Sequence, residues 1–598
     1  MVAGYQFADK RAVDMIGKIE KILNSIKGVT SATIETVSDF QKQFQNICVI
    51  EVSDSFMEKS QFLKQQENMR HTFNRLQYFI EARKKDKAKA LIQYQLYPFL
   101  EEFRESFYFW SCVYPDRGRM EEYYKKEFAR HHENCFIKDG EYEVSIFVPA
   151  RNKLEYTKKC VESILKHTES MRKTCELILI NHGSADETLA YFESVDDAKV
   201  IDFKENVGMV MFSAAFRACR GKTVVFVSND TIVTKKWLSN LSRCLWSDDS
   251  IVMAVPTTPN TSNGQSIQKE YGDSKKMQRF AASFNVSNPK KWQERARLMP
   301  VIAAYKGELV NEIGFADRYF DSMEFWDDDF SLRARQAGYK QMLCRDVYCF
   351  HYGSVTGGEA QLEENTLIRG RYRFLEKHGS DAWGNGSCYD DRVIEIISRF
   401  EMPKEDTAIL GVDCGYGDTP MQIRNVLREN GVQAEIYHIN TEKIYTKDLE
   451  KLADGFIFSK NEDFLKTLQM AFDEKKFGYV YLTHGIEKYG HRALIEIVKE
   501  KLEPEGKFIF TVSNPYYYHR TRKLVKGIFP SSSEELRFIN TVTMERYLEN
   551  MFSSVFRFDL YVQLPQEELD LYSQLAGQEK EEVIKLTQVK EHIFLCVK

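Results

Sequence analysis

The chain has 598 residues, of which 29% are charged and 43% hydrophobic, and its formal net charge is -5. This balance is typical of soluble globular proteins and excludes a disordered or collagen-like chain, while the length predicts three to four domains of about 150 residues each. Because the chain has no global excess of positive charge, we expect no nucleic-acid partner.

We also expect neither a signal peptide nor an integral membrane segment. The opening MVAGYQFADKRAVD reaches charged residues too early for a signal peptide, and no later stretch approaches about 18 uncharged apolar residues. The 12 cysteines are scattered without a C-x-x-C pair, which favours buried thiols over a zinc site. These features predict a cytoplasmic location.

Residues 1–140 are predicted to form a mainly helical N-terminal region. Up to about Asn134, apolar residues recur at spacings of three and four, as in FLKQQENMRHTFNRLQYFIEARK. Only the run Ile47–Val52 is typical of a strand. Glycine, which lets a backbone approach a phosphate, is nearly absent between Lys27 and Gly118, so we interpret the region as a packing or partner-docking module.

The next segment, residues 141–378, alternates strand-like runs with amphipathic helices. The runs are VSIFVP, LEYTKKCVESILKH, ELILIN, DETLAYFES, KVIDF and TVVFVS. This alternation predicts a largely parallel sheet with helices on both faces. It lapses after Val255, where the polar stretch TTPNTSNGQSIQKEYGDSKKMQ predicts a substrate loop rather than a linker.

A Gly-, Asp- and Ser-rich run, HGSDAWGNGSCYDD, predicts a linker over residues 379–403. Residues 404–598 then begin a second βα series, with strand-like TAILGVD, AEIYHI, FGYVYLT, KFIFTVS and HIFLCVK. The predicted fold class is therefore multidomain α/β with a helical N-terminal region.

Polar side chains follow three strands of the first predicted sheet. Ligands of open parallel sheets gather at the carboxyl ends of the strands, so these positions predict a binding edge. They are Pro149, Arg151, Asn152, Asn181, Asp186, Asn229 and Asp230. Asp230 could hold a hard divalent cation together with substrate phosphate oxygens, as Mg²⁺ and Mn²⁺ prefer, or it could be a turn or helix-capping residue.

The run FWDDDFSLRARQAGYK places Asp327, Asp328 and Asp329 behind Trp326 at the start of an amphipathic helix. Three adjacent carboxylates repel one another, so at least one should have a raised pKa and could serve as a general base. The alternative is an N-cap with solvated charge. Beyond this helix, His351 is a candidate second metal ligand, with a core histidine as the alternative.

At this point residues 143 to about 357 resemble the inverting family 2 glycosyltransferases of the GT-A fold. The resemblance rests on five ordered blocks: VSIFVPARNKLEYTKKCVESIL, ELILINHGSADET, ENVGMVMFSAAFRACRGKTVVFVSND, PTTPNTSNGQ and FWDDDFSLRARQAGYKQMLCRDVYCFHYGS.

The resemblance implies a role for each residue of this edge. It implies a nucleotide pocket at Pro149, Arg151, Asn152, Asn181, Asp186 and Asn229. It also implies a Mn²⁺ or Mg²⁺ ion at Asp230 and His351. The base is drawn from the acidic pair, with Asp327 preferred and Asp328 close behind. The family usually has Asp where Asn181 stands, and Glu where Trp326 stands.

The second βα series contains a strand, a glycine turn and a helix, with Asp413, Gly415 and Gly417 in the turn. Together with the later strands, it resembles class I S-adenosylmethionine-dependent methyltransferases over residues 404–598. The resemblance implies cofactor contacts at the turn and, after the second strand, at Asn440, and places His484 and Glu487 on the substrate side. Methyl transfer and a degenerate docking domain are both left open.

The sequence thus predicts a bacterial enzyme that moves a sugar from a nucleotide donor, with a UDP-linked N-acetylhexosamine favoured, to a protein acceptor such as a flagellin or to a glycan hydroxyl. The C-terminal domain could methylate the product with S-adenosylmethionine. The alternatives are an acceptor-recruiting scaffold with a degenerate methyltransferase-like domain, and a surface-polysaccharide glycosyltransferase.

Overall fold

The protein forms two compact units, Met1–Gln293 with Arg297–Ala382, and Glu294–Ala296 with Trp383–Lys598. The computed structural model describes residues 10–27, 34–48, 59–125, 141–269, 271, 273–320, 322–353, 365–384, 388–483, 486–525, 541–575 and 579–598. The helical N-terminal region shares a unit with the first sheet. The domain limits given above remain predictions.

The N-terminal region is mainly helical in its described residues, as its periodicity predicts. Its helices are α1 (Lys10–Lys27), α2 (Ile34–Cys48), α3 (Lys59–Glu81), α4 (Lys85–Leu91), α5 (Tyr97–Tyr108) and α6 (Arg117–Lys125). Single π turns, Ile92–Leu96 and Phe109–Val113, follow α4 and α5. The strand predicted at Ile47–Val52 is wrong at its first two residues, which end α2, and its other residues lie outside those described.

The first sheet has eight strands in the order β3-β2-β1-β4-β8-β6-β9-β7, and a separate ribbon pairs β5 with β10. The strands are β1 (Tyr142–Ala150), β2 (Cys175–His182), β3 (Lys199–Phe203), β4 (Gly221–Val227), β5 (Thr231–Ile232), β6 (Ile251–Thr257), β7 (Trp292–Glu294), β8 (Ile302–Lys306), β9 (Lys340–Tyr348) and β10 (Phe350–His351). Strands β1 to β4 are parallel, whereas β8 runs antiparallel to both its neighbours. This sheet is Rossmann-like.

Helices cover the first sheet. They are α7 (Leu154–Thr168), α8 (Thr188–Glu193), α9 (Met209–Ala218), α10 (Trp237–Leu245), α11 (Ser274–Phe284), α12 (Gly307–Ile313), α13 (Trp326–Ala337) and α14 (Thr366–His378). Because helices lie on both faces, the central strands are apolar almost continuously, and β6 is buried at every position. The polar stretch continues β6 to Thr257, its described residues from there to Asp273 are irregular, and its last residues form α11, a helix that the sequence did not predict.

The N-terminal helices close the edge of the first sheet at β3. The Gln95 side chain donates from Nε2 to the Asp202 carbonyl (2.7 Å) and accepts from the Asp202 amide (3.1 Å). Asn68 pairs in the same two-way manner with the backbone of Glu205 (3.1 and 3.0 Å). An exposed strand edge presents unpaired N–H and C=O groups, and here two side-chain amides satisfy them. The helical region is therefore a structural part of the sheet edge.

The second unit has a seven-stranded sheet in the order β13-β12-β11-β14-β15-β17-β16, parallel except for β17, which runs antiparallel to β15 and β16. Its strands are β11 (Thr407–Val412), β12 (Ala434–Asn440), β13 (Gly455–Phe458), β14 (Phe477–Leu482), β15 (Leu502–Ser513), β16 (Ser554–Tyr561) and β17 (Val589–Val597). The five strand-like runs predicted from sequence all form strands. The sequence did not single out β13 and β16, whose residues are mostly not fully buried.

Helices also flank this second sheet. They are α15 (Asp391–Ile397), α16 (Asp418–Glu429), α17 (Thr446–Leu452), α18 (Phe464–Met470), α19 (His491–Lys501), α20 (Tyr518–Val525), α21 (Thr541–Met551), α22 (Gln566–Leu575) and α23 (Lys580–Gln588). Helix α15 lies inside the predicted linker, yet it buries Val393, Ile396 and Ile397 in the core of this unit. Among the helices in the described residues, none combines the length and apolarity needed to cross a bilayer.

Replacing Gln95 by methionine should destabilise the first unit. The change keeps the side-chain volume but leaves the N–H and C=O of Asp202 without their partner, a loss of about 1 to 3 kcal/mol. Chemical denaturation would measure it, with Gln77→Met as the control, because Gln77 bonds only Glu81 on an exposed helix surface. Equal stability of the two variants would contradict the role assigned to Gln95.

Candidate active site

The loops after β1 and β2 are joined by hydrogen bonds at the carboxyl edge of the first sheet. In the parallel register, Pro149 pairs with Ile180, so the two strands end together. The Asn152 amide donates to Ser184 Oγ (2.9 Å), and Asn152 Oδ1 accepts from the Ala185 amide (2.7 Å). Asn152 has a φ of 58°, a left-handed conformation that asparagine tolerates well. Its side chain therefore shapes this edge.

Two other predicted residues at this edge differ in exposure. Asp186 Oδ2 accepts from the amide of Leu154, the first residue of α7 (3.1 Å), and Asp186 Oδ1 accepts from Thr188. Burial alone would raise the pKa of Asp186, but these hydrogen bonds bring it below its usual value. Arg151, by contrast, is exposed. Asp186 thus orders the loop, and Arg151 is available to an anionic ligand.

Asn181 and Asn229 both point into the protein. Asn181 Nδ2 donates to Asp202 Oδ1 (2.7 Å), and the Asn181 side chain also accepts from the Ser184 amide (3.2 Å). Asn229 Nδ2 donates to Thr157 Oγ1 (3.0 Å). Both residues are only 4% exposed. We therefore expect them to hold the loops rather than to contact a nucleotide directly.

The structure adds His182, which the sequence analysis did not single out although it directly follows Asn181. Its Nε2 accepts from the Val207 amide (3.0 Å), so this nitrogen is unprotonated. Burial and the nearby charges of Arg151 and Lys64 lower the pKa of His182 to about 3. His182 is thus a neutral histidine with its proton on Nδ1.

Asp230 and His351 lie together, as expected for a metal site. The β5–β10 ribbon pairs His351 with Thr231, and His351 Nε2 is 3.4 Å from Asp230 Oδ2. Ser228 Oγ donates to Asp230 Oδ1 (2.6 Å). Burial alone would raise the pKa of Asp230, but His351 and the Ser228 hydroxyl lower it below its usual value. Asp230 is therefore a buried, ionised carboxylate.

These two side chains fit a divalent cation. Metal–ligand distances of about 2.1 Å allow two donors 3.4 Å apart to bind one ion. No cluster of three or more His, Cys, Asp or Glu ligands occurs in the described part of the chain. Mg²⁺ or Mn²⁺, which take oxygens from water and phosphate, suit such a two-ligand site.

The three carboxylates at the start of α13 have different environments. Asp329 is fully buried and lies within 2.6 to 2.8 Å of Lys377 Nζ, His378 Nε2 and Arg333 Nε. Burial opposes its ionisation, yet Arg333 and Lys377 hold the pKa of Asp329 well below its usual range. Asp328 Oδ1 is 3.2 Å from Nη1 of Arg297. Asp329 and Asp328 thus each have positively charged side chains beside them.

Asp327 has the raised pKa that the sequence predicted for one of these carboxyls. It is half-buried, and burial followed by the charge of Asp328 raises the pKa of Asp327 to about 8, although Arg297 acts in the opposite direction. Trp326, beside it, is 2% exposed and packs on Phe212 and Phe315. The tryptophan therefore anchors the helix start in the core and leaves Asp327 as the group able to exchange a proton near neutral pH.

In the second unit, the predicted cofactor turn is occupied by the protein itself. An added Cβ would lie 2.5 Å from His438 Nδ1 at Gly411 and 2.6 Å from His438 Nε2 at Gly417. The Asp413 carboxylate accepts from the amide of Thr441 (2.6 Å) and from its hydroxyl.

The remaining predicted cofactor contacts are also internal. Asn440 Nδ2 donates to the Gly415 carbonyl (3.0 Å), and Asn440 is 1% exposed. Tyr416 is buried and packs edge-on against Tyr445. These residues therefore do not fit S-adenosylmethionine. His484 lies outside the described residues, as does the side chain of Glu487.

Removing the Asp230 charge should weaken metal binding. Asp230→Asn keeps the side-chain shape but takes the negative charge from a two-ligand site, so the affinity for Mn²⁺ in the presence of UDP should fall by about tenfold or more. Electron paramagnetic resonance of free Mn²⁺ would measure it. The control is Asp248→Asn, because Asp248 pairs with Lys340 just before β6, at the other end of the sheet. Unchanged Mn²⁺ affinity in Asp230→Asn would contradict this metal site.

Residues 145–297 match the family model described as Glycosyl transferase family 2. The match covers about a quarter of the chain and includes Asp230, whereas Asp327, Asp328 and His351 lie beyond it. This part of the chain is therefore similar to family 2 glycosyltransferases.

Solved structures with low identity were also found. The chain is similar to GalNAc-T7 with UDP, GalNAc and Mn²⁺, at 15% identity over 40% of this chain and 48% of that one, with a TM-score of 0.32. It is similar to the mannosyltransferase PcManGT from Pyrobaculum calidifontis in complex with GDP-Man and Mn²⁺, at 17% identity over 52% and 79%, with a TM-score of 0.30.

A third similar structure is the CurJ carbon methyltransferase, at 14% identity over 34% and 52%, with a TM-score of 0.22. The chain thus spans about half the length of the first of these structures. A search of curated proteins found no match.

Proposed function

We propose that the first unit transfers a sugar from a nucleoside diphosphate donor to an acceptor hydroxyl with inversion at the anomeric carbon. The supporting observation is the pairing of Asp230 with His351 at 3.4 Å on the carboxyl edge of a Rossmann-like sheet. The family match over residues 145–297 includes the aspartate of this pair. UDP is the preferred nucleotide and an N-acetylhexosamine the preferred sugar, and the proposed location is the cytoplasm.

We assign the general base to Asp327 rather than to Asp328. Asp328 pairs with Arg297, and Asp329 pairs with Arg333 and Lys377 and shares a hydrogen bond with His378, so both carboxylates already have partners in the protein. Asp327 takes the proton of the acceptor hydroxyl while the hydroxyl oxygen attacks the anomeric carbon. The bond from that carbon to the diphosphate oxygen breaks, and the diphosphate leaves with the electron pair.

The leaving diphosphate meets positive charge at this edge. Arg151 is exposed after β1 and can pair with a phosphate oxygen. A divalent cation held by Asp230 and His351 would neutralise charge on the diphosphate. Asn152 and Asp186 hold the Arg151 loop in place through the backbone of the neighbouring turn. We propose a protein acceptor, of which a flagellin is one example, with a glycan hydroxyl as the alternative.

Replacing Asp327 by asparagine should lower the rate of sugar transfer by about 10² to 10⁴, the usual contribution of a general base. Mass spectrometry of candidate acceptors incubated with a panel of nucleotide sugars would identify the substrates, and initial rates would then be compared. Mn²⁺ and UDP affinities should not change. Glu308→Gln, an exposed acidic residue in the first turn of α12, is the matched control.

The wild-type rate should rise with pH and level off above about 8, because the base must lose its proton and the pKa of Asp327 is raised to about 8. A rate that is flat between pH 6 and 9, together with full activity of Asp327→Asn, would contradict the assignment.

We further propose that the second unit has a methyltransferase-like fold but does not use S-adenosylmethionine. The packing of His438 against Gly411 and Gly417, and the internal bonds of Asp413 and Asn440, support this degenerate form. The unit would then be a degenerate docking domain, which is the alternative to methyl transfer that the sequence left open.

Calorimetry with S-adenosylmethionine should therefore give no binding heat. As an independent measurement, Gly411→Ala should destabilise the protein strongly, and His438→Ala in the same chain should recover much of that loss. The expected coupling is about 1 to 3 kcal/mol in a double-mutant cycle. Additive effects of the two substitutions, or saturable binding of the cofactor, would contradict an imidazole-filled turn.

A further inference from the structure

The residues from Thr258 to Gln265, which we term the 258–265 loop, contact both halves of the candidate active site. Gln265 closes the loop by donating from Nε2 to the Met299 carbonyl (2.9 Å) and accepting from the Met299 amide (2.7 Å). Gln265 is 1% exposed. Asn260 and Asn263 have φ values of 56° and 60°, which fix two turns of the loop in the left-handed region. The loop therefore has a defined conformation.

One side of the loop holds the segment that carries the metal ligand. Asn260 Nδ2 donates to the carbonyl of His351 (2.9 Å) and to that of Tyr352 (3.1 Å). At Gly353, an added Cβ would lie 2.8 Å from the Asn260 Cβ, so the chain passes directly over this asparagine. Since β10 is only two residues long, these bonds are a large part of what fixes His351.

The other side of the loop aims Arg297 at the acidic helix. Asn263 Oδ1 accepts from Nε (3.2 Å) and Nη2 (2.6 Å) of Arg297. The third nitrogen, Nη1, donates to the Ala382 carbonyl (2.7 Å) and lies 3.2 Å from Asp328 Oδ1. All three guanidinium nitrogens thus have partners. A guanidinium held in this way is a fixed positive charge beside Asp328.

From this geometry we propose that Arg297 and the 258–265 loop are positioning elements that set the catalytic base and the metal ligand together. Asn263 holds Arg297 against Asp328, which leaves Asp327 as the carboxyl that exchanges the acceptor proton. Asn260 holds His351 against Asp230. The proposal rests on the function proposed above, and it adds residues that need not touch either substrate.

The charges around Asp327 give the direction of the expected effect. They are Asp328 on the same helix, Arg297 from the segment before β8, and the Tyr305 hydroxyl on β8. Without Arg297, the negative charge of Asp328 acts on Asp327 unopposed, so Asp327 keeps its proton to higher pH. Without Asn263, Arg297 loses two of its hydrogen bonds, and the same change should follow to a smaller extent.

The first test is the pH dependence of sugar transfer. In Arg297→Met, the midpoint of the pH–rate profile should move upward by about one pH unit. Arg297→Lys keeps the charge without the hydrogen bonds, so its midpoint should lie between those of wild type and Arg297→Met. Asn263→Ala should move the midpoint in the same upward direction. Gln268→Ala, an exposed amide just after the loop, is the control.

The second test measures how the contact of the loop with the His351 segment affects Mn²⁺ binding. Asn260→Ala should weaken Mn²⁺ binding, measured by electron paramagnetic resonance, by about tenfold, because an oriented ligand depends on its supporting hydrogen bonds. It should leave the pH midpoint unchanged. Arg297→Met should do the reverse, with a shifted midpoint and unchanged Mn²⁺ affinity. A loop with only a structural role would not give these opposite effects on Mn²⁺ affinity and on the pH midpoint.

A third measurement needs no substrate. The pKa of Asp327 is about 8 in the folded protein and about 4 in the unfolded chain, so the folded state binds more protons between these values. Wild type should therefore lose stability relative to Asp327→Asn as pH rises from about 4 to 8, and the difference should then level off. With Arg297→Met as the background, the loss should continue above pH 8.

The outcomes separate this proposal from the proposed function. If wild type transfers no sugar and hydrolyses no donor, the proposed function fails, and the stability and Mn²⁺ titrations still decide the role of the loop. The loop proposal is overturned if Arg297→Met lowers the rate without moving the midpoint, if it leaves the stability titration unchanged, or if Asn260→Ala binds Mn²⁺ as wild type does.

Discussion

The arrangement of the first unit depends on how three consecutive carboxylates share their counter-ions. At a helix start, the positive end of the dipole stabilises such charges by only about 0.3 to 1 kcal/mol each, which does not offset their mutual repulsion once they are buried. Arg333 and Lys377 are the counter-ions of Asp329, His378 shares a hydrogen bond with it, and Arg297 pairs with Asp328. Among the described residues, Asp327 makes no ion pair, and the charge of Arg297 only partly offsets that of Asp328.

This distribution assigns different roles to neighbouring residues. The cations around Asp329 come from α13 itself and from the end of α14, so they tie the two helices and fix the direction of the α13 start. The Arg297 pair comes from a different segment, and the 258–265 loop orients it. The partners of Asp329 thus fix the position of the helix start, and the fixed charge of Arg297 acts on the proton affinity of Asp327, so the position and the pKa of the proposed base are set by different groups.

Much of the fold could be predicted from the sequence because the local spacing of apolar residues indicates which segments form helices and strands. The strand-like runs and amphipathic helices of both series are where the sequence placed them. The contact of Asp230 with His351 comes instead from the separate β5–β10 ribbon, and only the family resemblance indicated it. The interior partners could not be predicted in the same way. Asn181 donates to Asp202, whose carboxylate also lies 2.8 Å from His71 Nε2, more than a hundred residues away.

That contact also explains why asparagine stands at position 181. An aspartate there would set a second carboxylate 2.7 Å from Asp202 in a buried site, whereas the asparagine amide donates a hydrogen bond. A residue that departs from a family pattern can thus report on packing rather than on the ligand.

The glycines of the two units also show that the sequence does not reveal which residues pack together. A glycine marks a place where a side chain would collide, but the sequence does not say with what. At Gly353 the neighbour is Asn260, which holds a candidate metal ligand, so the small residue belongs to the active site. At Gly411 and Gly417 the neighbour is the imidazole of His438. In the second unit, the internal histidine therefore accounts for the glycines of this strand–turn–helix.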